Sequence, residues 1–185
     1  MAFQFSTAAR NGALDALEVA AGTSAVLRIR TGAPPANCAA ARTGTVLATM
    51  NLPSDWMSAA SGGVKSLLGT WQDTSADASG ETGHFEIMDT ALTNCHIQGH
   101  CSAPWQATKA YVIGSTVHAN GNVYRATAAG TSSSTAPSHT SGSAADGTVT
   151  WAFVQVGTDM TIDNGTLVAA QPVNQTAFTI TAGGA

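Results

Sequence analysis

"WQATKAYVIGSTVHANGNVYRATAAGTSSSTAPSHTSGSAADGTVTW", residues 105–151, begins and ends on tryptophan and holds both of the chain's tyrosines. Aromatic residues make up only 6% of the 185 residues, yet Trp105, Tyr111, Tyr124 and Trp151 all fall in this polar, turn-rich segment. Within it, "STVHANGNVYRAT" predicts a hairpin, because Asn120-Gly121-Asn122 is a turn that needs positive φ between two short β runs. "DGTVTW" predicts a third strand, entered from a turn at Asp146-Gly147. A unit of about 50 residues builds little core. Its rings therefore either pack on one another as a miniature core or stand open to stack on the apolar faces of sugars, with nearby Asn, Asp and Ser meeting the hydroxyls.

The flanks decide how the segment is attached. With residues 101–156 set aside, "NCHIQGH" joins "VGTDMTIDNGTLVAA" as strand, short loop, strand. The segment then reads as an insertion at a loop tip, where insertions are best tolerated. The division is a discontinuous β-domain of residues 1–100 plus 157–185, and an inserted three-stranded β-module of residues 101–156.

Outside the insert, "TAARNGALDALEVAAG" is a helix, with Leu14, Leu17 and Ala21 at helical spacing, Asp15 and Glu18 near the other face, and Gly22 ending it. That helix is expected to pack on the edge of the β-domain or on a neighbouring subunit. "AVLRIR" (25–30) alternates as a half-buried strand does, whereas Pro34 and Pro35 mark the following loop. "TVLATMNL" (45–52), "VKSLLGTW" (64–71) and "HFEIMD" (84–89) follow as strands, and "NCHIQG" pairs back on "HFEIMD" through "TALTN". "DMTIDN" and "GTLVAA" flank Asn164-Gly165, a local hairpin signal. "TAFTITAG" closes the chain with Phe178 and Ile180 on one face. Many short strands with Gly-rich turns place the fold as mainly β: an antiparallel sandwich or barrel with one N-terminal helix.

Composition narrows the function classes. Hydrophobic residues at 44% permit a core, while charged residues at 10% fall well below the roughly 25% usual for soluble domains. Low charge with abundant Thr, Ser, Ala and Gly suits a β-rich protein packed in a larger assembly. A net charge of −4, a pI near 5.6 and seven scattered Lys and Arg argue against a nucleic-acid partner. No stretch approaches the roughly 20 apolar residues of a membrane span. "MAFQFSTAARNGALDALE" lacks the basic-then-apolar order of a signal peptide, so synthesis in the cytosol is expected.

Chemistry is sparse. "CHIQGHC" (95–101) gathers Cys95, His96, His100 and Cys101. On a strand, however, Cys95 and Ile97 face one way and His96 the other, and the spacing matches no common zinc set. The reading is no metal, with His84 as the extra ligand if one were held, and a Cys95–Cys101 disulfide as an alternative. Cys38 is read as a buried apolar residue. Asp73, Asp77, Glu81, Glu86 and Asp89 supply carboxylates for a glycosidase, yet the first three lie in a polar loop explained by solvation. No nucleophile elbow, phosphate loop or dinucleotide fingerprint occurs. The reading is not an enzyme, and no cofactor.

Two resemblances add to this. Residues 104–154, with Trp, Tyr near a Gly, a Gly-x-x-Tyr hairpin and Asp-Gly before a final Trp, resemble the small carbohydrate-binding-like modules of phage tail and fibre proteins and of chitinases. The likeness implies a glycan contact at Trp105, Tyr111, Tyr124 and Trp151. The rest, including "STAARNGALDALE", "AVLRIRTGAPPANCAAARTGTVLATMNLPSDWM" and "GTWQDTSADASGETGHFEIMD", resembles a family of small virion structural proteins of tailed phages. This implies a place on the particle surface, contact with the major capsid or tail protein, and homo-oligomers such as trimers. Capsid decoration is the first expectation. The alternative is a tail-tip or baseplate adhesin for host-surface polysaccharide.

Overall fold

The computed structural model describes residues 4–183. Residues 1–3, where the N-terminal stretch begins, and residues 184–185 at the end of the discontinuous domain lie outside the described residues. Chain order is α1 (Thr7–Ala21), β1 (Val26–Arg30), β2 (Val46–Asn51), β3 (Val64–Ser66), β4 (Trp71–Asp73), β5 (Gly80–Glu81), β6 (His84–Met88) and β7 (Cys95–Pro104). There follow β8 (Ala110–Tyr111), β9 (Thr116–Ala119), β10 (Asn122–Ala128), β11 (Gly130–Thr131), β12 (Ser143–Asp146) and β13 (Val149–Val156). The last are β14 (Met160–Thr161), β15 (Thr166–Leu167), β16 (Val173–Gln175) and β17 (Thr179–Thr181). The described residues are mainly β with one helix.

Strand alternation explains the main core. On β1, β2, β6 and β7, the residues Leu27, Ile29, Leu47, Phe85, Ile87, Cys101 and Ala103 face one way. They pack against a second layer of short ladders, β3–β17, β4–β16 and β5–β15, which supplies Trp71, Leu167, Val173 and Phe178. The aromatic rings interlock there, Trp56 on Trp71 with centroids 5.9 Å apart and Phe178 against both Trp71 and Phe85 at 5.5 Å. A face-to-face β-layering results.

The large sheet runs β12-β13-β10-β9-β7-β6-β1-β2. Most neighbours are antiparallel, as expected, and β6 pairs with β7 from His84↔His100 to Met88↔Cys95. Two joins are parallel instead. β9 meets β7 at Ala103↔Val117 and Pro104↔His118, and β14 meets β7 at Met160↔Cys101 and Thr161↔Ser102. Ten residues long, β7 outruns β6 and leaves backbone groups at its end that these two strands satisfy.

That demand also overturns the hairpin at Asn164-Gly165. Neither residue has a positive φ, the torsion a tight type I′ turn requires. β14 goes to β7, while β15 pairs with β5 in another ladder. "VKSLLGTW" is likewise not one strand. Gly69 (φ 74°) turns the chain between β3, which joins β17, and β4, which joins β16.

Ser6 caps α1 by accepting from the Ala9 N–H at 3.2 Å, and Gly22 (φ 82°) ends it. Leu14 and Ala21 are buried, but the acidic face is no solvated back. Lys65, 3% exposed, donates to Asp15 and Glu18 at 2.8 Å each. Glu18 also accepts from the backbone of Trp56 and Met57. A buried ammonium needs such partners, so the carboxylates fasten the helix to β3 of its own chain.

Candidate functional site

The Trp- and Tyr-rich segment has its own core: Tyr111, Val117, Tyr124, Ala126, Val149 and Trp151, flanked by Trp105, Ala119 and Phe153. Its hairpin turn is as expected, with Asn120 at φ 50° and Gly121 at φ 76° between Ala119 and Asn122, which pair. The module exceeds three strands. Besides β9, β10 and β13 it contains β12, joined to β13 through the Asp146-Gly147 turn, and a β8–β11 ladder.

The four rings proposed for sugar stacking are placed unequally. Trp151 and Tyr124 are 0% exposed and Tyr111 is 6% exposed, while Trp105 is half-buried. Trp151 meets the edge of Tyr111 at 4.9 Å and 74°. Tyr124 packs on Phe153 and His139, and its hydroxyl donates to the His139 carbonyl at 2.9 Å while accepting from Asn122. The Tyr111 hydroxyl accepts from the Gln106 N–H at 2.8 Å. With their faces covered and polar tips satisfied, Tyr111, Tyr124 and Trp151 form the miniature core and offer no stacking surface. A module this small closes only if its largest side chains turn inward.

A residue read only as part of a turn holds the arrangement together. Asp146 is 6% exposed and accepts from the indole N–H of Trp105 and of Trp151, each at 2.9 Å, and from the Ser133 N–H at 2.8 Å. Burial alone would raise its carboxyl, but hydrogen bonds from Ser133, Trp151 and Trp105 outweigh that and hold it below the usual aspartate range. Asp-Gly before a strand signals a turn, and nothing local reveals that the carboxylate turns inward.

Beside this hub lies an open groove of about 350 Å³, lined by Ser133, Thr135, Pro137, Ser138, His139 and Asp146 among others. It reaches the lower end of the roughly 300–1,000 Å³ usual for small-molecule sites. None of the four rings lines it. Tyr111 instead borders a smaller cavity of about 170 Å³ with Glu81 and Lys109, where the module meets β5. Nearby Val112 and Ile113, 52% and 67% exposed, are the module's open aliphatic side chains before Gly114.

The "CHIQGHC" residues diverge. Ile87 pairs with Ile97 but Met88 with Cys95, so His96 is the extra residue of a bulge. The bulge puts Cys95 on the face opposite Ile97, not the same face as simple alternation predicts. Cys101 is buried in the main core on the other side, so a Cys95–Cys101 bond is excluded by the strand between them. Cys38 is half-buried in the loop after β1 rather than a core residue. Among the described residues no three or more His, Cys, Asp or Glu converge on a metal position.

The carboxylates each have structural partners. Asp73 accepts from the Thr49 N–H at 2.9 Å, Asp77 from the Thr49 hydroxyl at 2.7 Å, and Glu81 from the Thr166 hydroxyl at 2.7 Å. Asp89 accepts from Thr93 and Asn94, which hold it at about 2. Glu86 lies between Arg30 and Arg42.

Three histidines sit near the seam between module and main sheet. His84 Nδ1 is 3.1 Å from the Gly32 carbonyl, Arg125 donates to that same carbonyl at 3.2 Å, and His118 Nδ1 is 3.1 Å from the Ser102 hydroxyl. Burial pushes His84, His100 and His118 below the ordinary histidine value of 6.5, and for His100 the Arg125 charge adds to it. The unfolded chain then binds more protons than the folded one at mildly acid pH. The stability contribution is fully present above about 6.5 and is lost as pH falls through that value toward the depressed folded ones. The melting temperature is expected to fall steadily between about pH 7 and pH 5, before the carboxylates titrate. A flat profile over that interval would contradict the burial of these rings.

Comparison of the chain with protein-family models, with curated proteins and with solved structures finds no match. The geometry therefore stands alone. Among the described residues no helix is long and apolar enough to cross a membrane.

Proposed function

We propose that this chain is a non-enzymatic structural protein of a tailed-phage particle, in the first place a capsid decoration protein. Its main β-domain would attach to the capsid and its second β-unit would be displayed outward. The observation that carries this reading is the pair of separate aromatic cores carried on one large sheet. The segment spends its rings on holding itself together, which suits a rigid unit carried by a scaffold better than an open binding platform. The commitment of Asp73, Asp77, Glu81, Glu86 and Asp89 to structural partners supports the non-enzymatic half of the reading. Low charge and exposed Val19, Val112, Ile113 and Val156 suit burial against neighbouring virion proteins or further copies of the chain.

The polar groove at Ser133, Ser138, His139 and Asp146 favours one second reading, a tail-tip adhesin that meets glycan hydroxyls there rather than through stacked rings. Repetition on a particle would compensate for a weak single site. Gold-labelled antibody against the chain, viewed on intact particles, separates the two. Label over the head is the expected result, label confined to the tail tip would replace decoration by adhesion, and unlabelled particles would remove both.

A further inference from the structure

Residues 31–45 form a loop that crosses the polar face of the main sheet, and it is tied to β7 and its approach on either side of two cysteines. Gln98 donates to the Pro35 carbonyl at 2.7 Å, and Arg42 donates to the Thr93 carbonyl at 3.0 Å. These ties run in opposite chain directions, 35 with 98 and 42 with 93. Cys38 lies between residues 35 and 42, and Cys95 between residues 93 and 98. The bulge at His96 turns Cys95 onto this same face, beside Glu86 and Arg42. The Cys95 thiol, which donates to the Ile97 carbonyl at 3.4 Å, faces Cys38 there, and both residues are half-buried. Cys101 is sealed in the main core.

We propose that Cys38 and Cys95 are an oxidisable pair that closes to an intrachain disulfide and clamps the loop onto the sheet. The oxidant is a low-molecular-weight disulfide such as oxidised glutathione. One cysteine thiolate attacks a sulfur of that disulfide, forming a mixed disulfide and expelling one small thiolate. The second cysteine then attacks the protein-side sulfur, forming the Cys38–Cys95 bond and expelling the other small thiolate. Two protein thiols are oxidised, one small disulfide is reduced to two thiols, and the protons pass to solvent.

With the loop held to the sheet on both sides of the pair, closure to the bonding distance of about 2 Å needs only local side-chain and loop adjustment. Burial, with the adjoining Cys38 thiol, pushes the Cys95 thiol up to about 12. Little thiolate exists there at neutral pH, so closure quickens as the solution becomes alkaline. The link would join positions 57 residues apart (95 − 38) and restrict the unfolded chain accordingly.

The test treats the full chain with oxidised glutathione at mildly alkaline pH, followed by intact mass and non-reducing peptide mapping. The expected product is lighter by two hydrogens, joins the Cys38 and Cys95 peptides, and melts roughly 5–15 °C higher than the dithiothreitol-treated chain. Cys38→Ser should abolish closure and Cys101→Ala should preserve it. Mapping on the unsubstituted chain decides the matter even if a variant folds poorly. Stable glutathione adducts on both cysteines, a link to Cys101 or between chains, or two unreacted thiols would overturn the proposal.

Discussion

Replacing Trp151 with alanine is expected to destabilise the module by about 3–5 kcal/mol, the usual cost of deleting a fully buried aromatic ring. Trp151 is 0% exposed, at the centre of the second core, edge-on to Tyr111. Its loss would leave a cavity between β10 and β13 and remove one of the two indole donors that Asp146 depends on. A buried carboxylate with fewer donors is costly in itself, so the two effects compound. The main core touches none of these residues. The paired register across the seam is short, Ala103↔Val117 and Pro104↔His118, aided by the Ser102–His118 contact at 3.1 Å. Amide hydrogen exchange should therefore accelerate in β10 and β13 of Trp151→Ala while β1 and β6 stay protected. Equal acceleration in both halves would mean that the sheet unfolds as one unit.

Trp105→Ala supplies the contrast. Its ring is half-buried and shares the Asp146 carboxylate, so a smaller loss of stability is expected than for Trp151. The sequence alone treats the two tryptophans as equivalent ends of one motif. Their difference comes from depth in the packed module, which composition does not encode.

What was legible from sequence follows the strength of local periodicity. Leu14, Leu17, Ala21 and Gly22 mark the helix because apolar spacing and a terminating glycine are local signals, whereas the Ser6 cap emerges only from the structure. "AVLRIR" and "HFEIMD" likewise anticipate β1 and β6, although β1 is buried on both faces rather than half-buried, and the β6–β7 pairing follows from a short loop. Asn164-Gly165 misleads because the unpaired end of β7 competes for the strand that precedes it. Asp15 and Glu18 read only as lying near the face opposite the apolar spacing, since only the fold brings Lys65 against them. Cys95 is misplaced by one bulge, and that single register shift turns it to the face crossed by the 31–45 loop that carries Cys38. The candidate rings were correctly singled out as unusual, but ring identity cannot say which face is covered. Asp146 was invisible as a hub because its three donors come from positions 105, 133 and 151.

Glu86→Ala should cost about 3–5 kcal/mol in stability, the range for stripping one partner from a buried ion pair. Glu86 is 2% exposed on β6. Its Oε1 lies 2.7 Å from Arg30 Nε and its Oε2 lies 3.3 Å from Arg42 Nε. Arg30, only 8% exposed, also donates to the Gly44 carbonyl at 3.1 Å, so the cluster holds the 31–45 loop against the sheet. Alanine would leave Arg30 charged, buried and without its carboxylate. Glu86→Gln keeps the shape and one acceptor, and it should lose less. The pair Arg30→Met with Glu86→Leu removes both charges together and should recover much of the loss, because hydrophobic replacements of buried pairs are often neutral or better. Urea unfolding of the four proteins measures this order. A fall in any glycan-directed activity of Glu86→Ala would then need correction for the unfolded fraction before it said anything about catalysis. If Glu86→Ala were as stable as the parent, the carboxylate would be free of its structural duty and its role as a candidate acid would reopen.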